Sequence, residues 1–192
     1  MKEIVIPKKV NIILKMLETE GYEAYIVGGS VRDILLGLIP KDWDIAASAT
    51  PEEIKRVFCE YKIVDKGERF GTIGVYEKQA PGGLYEITTF RRETSYNDGR
   101  HPVGVIFTEE VEEDLARRDF TINGMAFNEK RGLIDLFGGL DDLKSGKIRV
   151  IGSPKKRFAE DGLRIVRAMR FASKFGFSIE KNTESAIYAF KD

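Results

Sequence analysis

A chain of 192 residues, 42% of them hydrophobic, can bury one sizeable core and the start of a second domain. Lys plus Arg and Asp plus Glu each number 31, for a formal net charge of +0. Any nucleic-acid site must therefore come from local clustering and not from global charge. The chain has one cysteine, Cys59, and one histidine, His101, which excludes an internal disulfide framework and a Cys/His zinc site.

The opening "MKEIVIPKKV" has no long apolar region and no stretch approaches membrane-spanning length, so a reducing cytoplasm is the expected location. Val10, Ile13, Leu14 and Leu17 lie at helical spacing, and Gly21 can close that helix. "EAYIVGG" reads as a buried strand ending in glycines, and "SVRDILLG" as a helix with Ser30 as its N-cap. "DWDIAA" is a second strand. "TPEEIKRVF" is a helix with Thr50 as cap, Pro51 in first position and Glu53 completing a capping box. "YKIVD", "FGTIGVYE" and "LYEITTF" are three more strands. Residues 91–114 read as a long polar loop. "RRDFTINGMAF" is expected to be a short helix, "GLIDLF" a strand or turn, and "KIRVIG" a strand.

The character changes near Ser153. "SPKKRFAEDGLRIVRAMRFASKFGF" is helical with Gly176 as a stop, and Leu163, Val166, Met169 and Ala172 form an expected core-facing stripe. "KNTESAIYAFKD" is helical too. The pattern is a mixed α/β head over residues 1–152, then helices over 153–192 with no evident partners. The chain is expected to be the N-terminal part of a longer protein.

Three clusters carry chemistry. Residues two apart in a strand share a face, so Asp42 and Asp44 are expected to project together, with Trp43 on the other side. Two carboxylates about 6 Å apart repel by roughly 3 kcal/mol at an effective dielectric of about 20. A hard divalent cation such as Mg²⁺ offsets that; a solvated turn also fits the pair. Gly28 and Gly29 end a strand and open a helix, which lets backbone approach a phosphate or simply makes a tight turn. Arg32 sits in the first turn of that helix, where a cation is disfavoured without an anion. In "RRDFTIN", Arg117 and Arg118 suit paired phosphate oxygens and Asp119 suits a ribose hydroxyl, or else caps a helix with Asn123 in solvent. In "EDGLRIVRAMR", Asp161 and Arg164 lie one turn apart. Between Gly162 and Ile179 there is no acid, and Arg164, Arg167, Arg170 and Lys174 fit a solvated face or an anion site.

"YIVGGSVRD" followed by "KDWDIA" closely resembles the opening of the class II tRNA nucleotidyltransferases, the CCA-adding enzymes. These share a polymerase β-like head with bacterial poly(A) polymerases. "RRDFTIN", "EDGLRIVRAMR", the Asp98, Arg100 and Pro102 pattern, and "DLFGGLDDL" extend the resemblance over nearly the whole chain. The resemblance implies an α+β nucleotidyltransferase head followed by a partial all-α neck. It implies Mg²⁺ on Asp42 and Asp44, with Glu86 as a third strand acid. Gly28, Gly29, Arg32 and Arg118 would hold the triphosphate, while Asp119 and Asn123 would position the ribose. Asp161 and Arg164 would read the base edge, with Arg167 and Arg170 near the nucleotide. Asp135 and Asp141 are expected to be structural. The implied activity is addition of C and A to the 3′ end of tRNA from CTP and ATP, with no membrane partner. Poly(A) or A-only addition on the same head, and an inactive nucleotide-binding module, are the alternatives.

Overall fold

The computed structural model describes residues 4–77, 83–94 and 103–190. The loop residues Asp98, Arg100, His101 and Pro102 lie outside them. Helix α1 (Lys8–Thr19) buries Val10, Ile13, Leu14 and Leu17, the four positions whose spacing predicts it. Strand β1 (Ala24–Val27) is buried at every position. Helix α2 (Gly29–Leu35) is capped two residues earlier than expected. Its N-cap is Gly28, at φ +68 and ψ −121, and Ser30 lies inside the helix with its hydroxyl donating to the Val27 carbonyl at 3.0 Å. Strand β2 (Asp44–Ala47) leads to α3 (Pro51–Val57). There the capping box is complete: Thr50 accepts from the Glu53 amide, and Glu53 accepts from the Thr50 amide at 2.8 Å.

Strands β3 (Ile63–Gly67), β4 (Thr72–Tyr76) and β5 (Leu84–Thr89) follow as expected. The expected loop over 91–114 contains regular structure. Strand β6 (Arg91–Glu93) pairs antiparallel with β7 (Val105–Phe107), and α4 (Val111–Ala116) follows. "RRDFTINGMAF" is not a helix. It is a single 3₁₀ turn at Thr121–Asn123 running into strand β8 (Met125–Asn128), because Ala126 and Phe127 find strand partners in β1. Strand β9 (Gly132–Asp135) precedes α5 (Gly139–Lys144), whose first amides, Gly139 and Leu140, donate to the Asp135 carboxylate at 2.8 and 2.9 Å. Asp135 is thus structural, as expected, and Asp141 forms an ion pair with Lys144 one turn away.

Strand β10 (Lys147–Ile148) is short. The expected single long helix is two, α6 (Pro154–Glu160) and α7 (Leu163–Phe175), broken where Asp161 takes an extended conformation. Gly176 ends α7 at φ +68, and β11 (Ser178–Ile179) and α8 (Lys181–Ala189) complete the described chain. These helices do have partners: β11 pairs parallel with β10, and Phe158, Ala168 and Ala186 join the main core. The expected stripe on α7 faces outward, with Leu163, Val166 and Met169 at 45, 60 and 53% exposure. The inward face carries Arg164 and Ala168 instead, flanked by half-buried Ile165, Phe171 and Ala172.

Seven strands form one mixed sheet in the order β3-β4-β5-β2-β1-β8-β9. Only β2 and β5 are parallel; the other neighbours are antiparallel. Alternation along the central strands divides the core. Ala24, Ile26, Ile45 and Ala47 face the larger cluster with α1 and α3. Tyr25, Val27, Ala46 and Ala126 face a smaller one closed by Phe90 and by Val111 and Leu115 of α4. The sheet is therefore covered on both faces at its centre.

Candidate nucleotide site

Antiparallel pairing of β1 with β2, and of β1 with β8, puts the end of β1 and the starts of β2 and β8 at one edge of the sheet. The functional segments meet there. Gly28 follows β1, Asp44 opens β2, and Asn123 precedes β8; the Gly28 amide donates to the Met125 carbonyl at 3.1 Å. A cleft of about 370 Å³ opens at this edge, lined by Gly28, Gly29, Arg32, Asp44, Arg118, Asp119, Asn123, Asp161, Arg164 and Arg167, with Glu93, Arg117 and Phe171. No side chain but hydrogen fits at Gly28 without a shift, since a Cβ there would lie 2.9 Å from Arg118 Nη1.

Each arginine of the wall is aimed by a carboxylate or an aromatic ring. Arg32 is buried, donating from Nε to Asp33 at 2.8 Å and from Nη1 to Asn123 at 2.6 Å. Its guanidinium also lies 5.2 and 5.0 Å from the ring centres of Phe171 and Phe175. Asp33 supplies the anion that a cation near the start of α2 needs. Arg117 and Arg118 both donate to Asp114 of α4, which is fully buried. The two guanidinium charges hold the Asp114 carboxyl below the usual carboxylate range, although burial pushes the other way.

Asp119 does not cap a helix. Its Oδ1 accepts from the Phe120 amide and from Asn123 Nδ2, and its Oδ2 accepts from Arg167 at 2.7 Å. Asn123 is correspondingly buried rather than in solvent. Asp161 accepts from the Leu163 amide at 2.9 Å and so starts α7 while lining the cleft. Arg164, 6% exposed, donates to Glu160 at 2.9 Å and to the Arg157 carbonyl at 3.1 Å, and lies 3.8 Å from Glu93. Its guanidinium thus faces the cleft with two carboxylates behind it.

Strand β2 begins only at Asp44, so alternation within the strand does not place Asp42 as expected. Asp42 is nonetheless close enough for its charge to act on Asp44. Desolvation raises the Asp44 carboxyl above the usual range, Arg118 opposes this, and Asp42 adds to it. Such an uncomfortable oxygen pair is a fitting donor set for a hard divalent cation that keeps several waters of its own. Glu86 stands directly across from Asp44 on β5 in the parallel register. It does not line the cleft, and among the described residues no group of three or more His, Cys, Asp or Glu side chains is close enough to hold a metal ion. Arg170 is exposed and also lies outside the cleft lining.

Residues 24–149 match the family model of the poly A polymerase head domain. The chain belongs to this family. Among poly A polymerase head proteins it is similar to the CCA-adding enzyme of Ligilactobacillus salivarius, 53% identical over 180 residues, which cover 94% of this chain and 43% of the relative. The CCA-adding enzyme of Bacillus stearothermophilus in complex with CTP superposes with a TM-score of 0.86 at 41% identity, over 97% of this chain and 44% of that one. The Thermotoga maritima CCA-adding enzyme complexed with tRNA gives 0.76 at 35% identity, over 96% of this chain and 42% of that one. The chain spans less than half the length of these relatives. No helix among the described residues is long and apolar enough to cross a membrane.

Sequence reasoning missed Glu93, Asp114 and Phe171 in this poly A polymerase head. For Asp114 a signal existed: it lies on the inward face of α4, three residues after Val111, which is four residues before Leu115 on the same face. Glu93 and Phe171 carry no such local mark, because a tertiary contact alone gives each its role.

Proposed function

We propose that this chain is the catalytic head and the start of a helical neck of a tRNA nucleotidyltransferase that adds C and A from CTP and ATP. Residues 1–152 would form the head and 153–192 the beginning of the neck, acting in the cytoplasm. The observation that carries this reading is the convergence on one cleft of Asp44, the phosphate-suited Arg32 and Arg118, and the Asp161–Arg164 pair. Similarity to CCA-adding enzymes described with CTP and with tRNA supports it.

In this reading Asp42 and Asp44 hold Mg²⁺. When bound, the metal would neutralise the triphosphate and activate the RNA 3′ hydroxyl. Arg32 and Arg118 bind the phosphates, with the Gly28 turn giving them room. Asp119 and Asn123, locked to each other, orient the ribose. Asp161 accepts from the amine at C4 of cytosine or C6 of adenine, where U and G carry a carbonyl oxygen instead, while Arg164 donates to a ring or carbonyl acceptor. The 3′ hydroxyl then attacks the α-phosphate and pyrophosphate leaves.

Calorimetry of this chain with CTP, ATP, UTP and GTP in the presence of Mg²⁺ tests the reading, with Arg164→Ala alongside. Binding of CTP and ATP but not UTP and GTP is expected, and the variant should lose the preference. Equal binding of all four by the parent chain would refute base reading by this head.

A further inference from the structure

The sheet face under α4 is apolar, formed by Tyr25, Val27, Ala46, Phe90 and Ala126. Folding would be served there by another apolar residue on α4. Position 114 instead carries a carboxylate with no exposed surface, a costly choice unless the charge is paired. The pairing is specific. Asp114 Oδ1 accepts from Arg117, with Nε at 2.9 Å and Nη2 at 2.8 Å. Asp114 Oδ2 accepts from Arg118, with Nε at 3.3 Å and Nη2 at 2.9 Å. Each arginine thus presents one edge of its planar fork to its own oxygen.

The two third nitrogens then point to different places. Arg117 Nη1 donates to Glu93 at 3.3 Å, which makes Arg117 a strut between Asp114 and Glu93. Arg118 Nη1 lies against the Gly28 turn, 2.9 Å from where a Cβ would stand, and its charge reaches Asp44. The charge of Arg91 also bears on this group, so three guanidiniums, Arg91, Arg117 and Arg118, would repel one another without Asp114 and Glu93.

We infer that Asp114 is the positioning residue that aims the Nη1 edge of Arg118 at the triphosphate, while Arg117 serves as structural strut. The inference rests on the nucleotide reading of the cleft. It gives two adjacent arginines that share one carboxylate different tasks. Asp114 touches no substrate; it works by fixing the guanidinium that lies against Gly28 and whose charge reaches Asp44.

The test is calorimetry of this chain with Mg²⁺ and CTP, ATP or CMP, for wild type, Asp114→Asn, Arg118→Ala and the double variant. Asp114→Asn should weaken CTP about 10- to 100-fold, the usual loss when an orienting partner is removed. CMP, which lacks the outer phosphates, should change little, and the CTP-to-ATP ratio should hold. The double variant should bind CTP no more weakly than Arg118→Ala. Wild-type affinity in Asp114→Asn, a parallel loss of CMP, or losses that multiply in the double variant would each overturn the inference. Should Asp114→Asn fail to fold by circular dichroism, the wild-type Arg118 Nε–H resonance decides, assigned by its disappearance in Arg118→Lys. It should exchange with water more slowly than that of exposed Arg170; equal exchange overturns the inference. If wild type binds neither nucleotide, the nucleotide reading itself falls, and this inference with it.

Discussion

Replacing Gly28 with alanine tests the glycine turn as a functional device and not merely a turn. The residue sits at φ +68 and ψ −121, a backbone region that L side chains avoid. That strain costs about 1–3 kcal/mol. For a chain of this size it lowers the melting temperature by roughly 2–12 °C, at about 2–4 °C per kcal/mol. The new methyl would also stand 2.9 Å from Arg118 Nη1. The guanidinium must yield by a few tenths of an ångström, yet it is held by Asp114 through bonds of 2.9 and 3.3 Å, the longer of which has little left to give. Misplacing a group of this kind costs up to about 100-fold. Gly21→Ala is the control: its φ of +91 imposes similar backbone strain, but nothing lies within 4 Å of its Cβ. Thermal melts and CTP titrations of both variants are the assay. Both should lose stability, and only Gly28→Ala should lose CTP affinity. Equal affinity losses, or an unaltered Gly28→Ala, would refute the argument.

Four further outcomes follow from the structure. The Asp44 carboxyl is raised above its ordinary value, so the folded state holds its proton to higher pH than the unfolded chain does. Ionised Asp44 therefore weakens the fold, and stability from this group is gained as pH falls through the raised value. Asp44→Asn should melt higher than wild type at neutral pH while losing Mg²⁺-dependent CTP binding, and a lower melt would contradict the sign. Mg²⁺–CTP affinity of wild type should begin to fall above the usual carboxylate range as the solution is acidified, as a calorimetric pH series would record. Phe171→Leu removes the ring beneath Arg32 and Arg167, 5.2 and 5.4 Å away. At about 0.5–1 kcal/mol per contact, stability should drop by about 1–2 kcal/mol in denaturant melts, with weaker CTP binding as Arg32 loosens. Thr50→Ala opens the α3 capping box and should cost about 1 kcal/mol with CTP affinity untouched.

What the sequence determined by itself were features governed by neighbours along the chain. The α3 box is read from Thr50, Pro51 and Glu53 because capping is a contact within one turn. The α1 face is read from four apolar residues at helical spacing, and the stop of α7 from Gly176. Most of the cleft was legible as well, from clustered glycines, acids and arginines in an order that resembles a known family.

Tertiary structure decided whatever depends on which distant segment a residue meets. The β6–β7 pairing makes strands of Arg91–Glu93 and Val105–Phe107, which read as loop, because their hydrogen bonds come from 12 or more residues away. The face of α7 turned inward is Arg164 and Ala168, not Leu163, Val166 and Met169, because Glu93 and Glu160 receive the charge there. Register alone places Glu86 beside Asp44. Asp114 stands in a run of acids with Glu112 and Glu113; its spacing from Val111 marks the face it shares, and the docking of α4 on the sheet is what brings that face against an apolar surface. A carboxylate's role is set by what surrounds it after folding, and that is long-range information a local pattern does not carry.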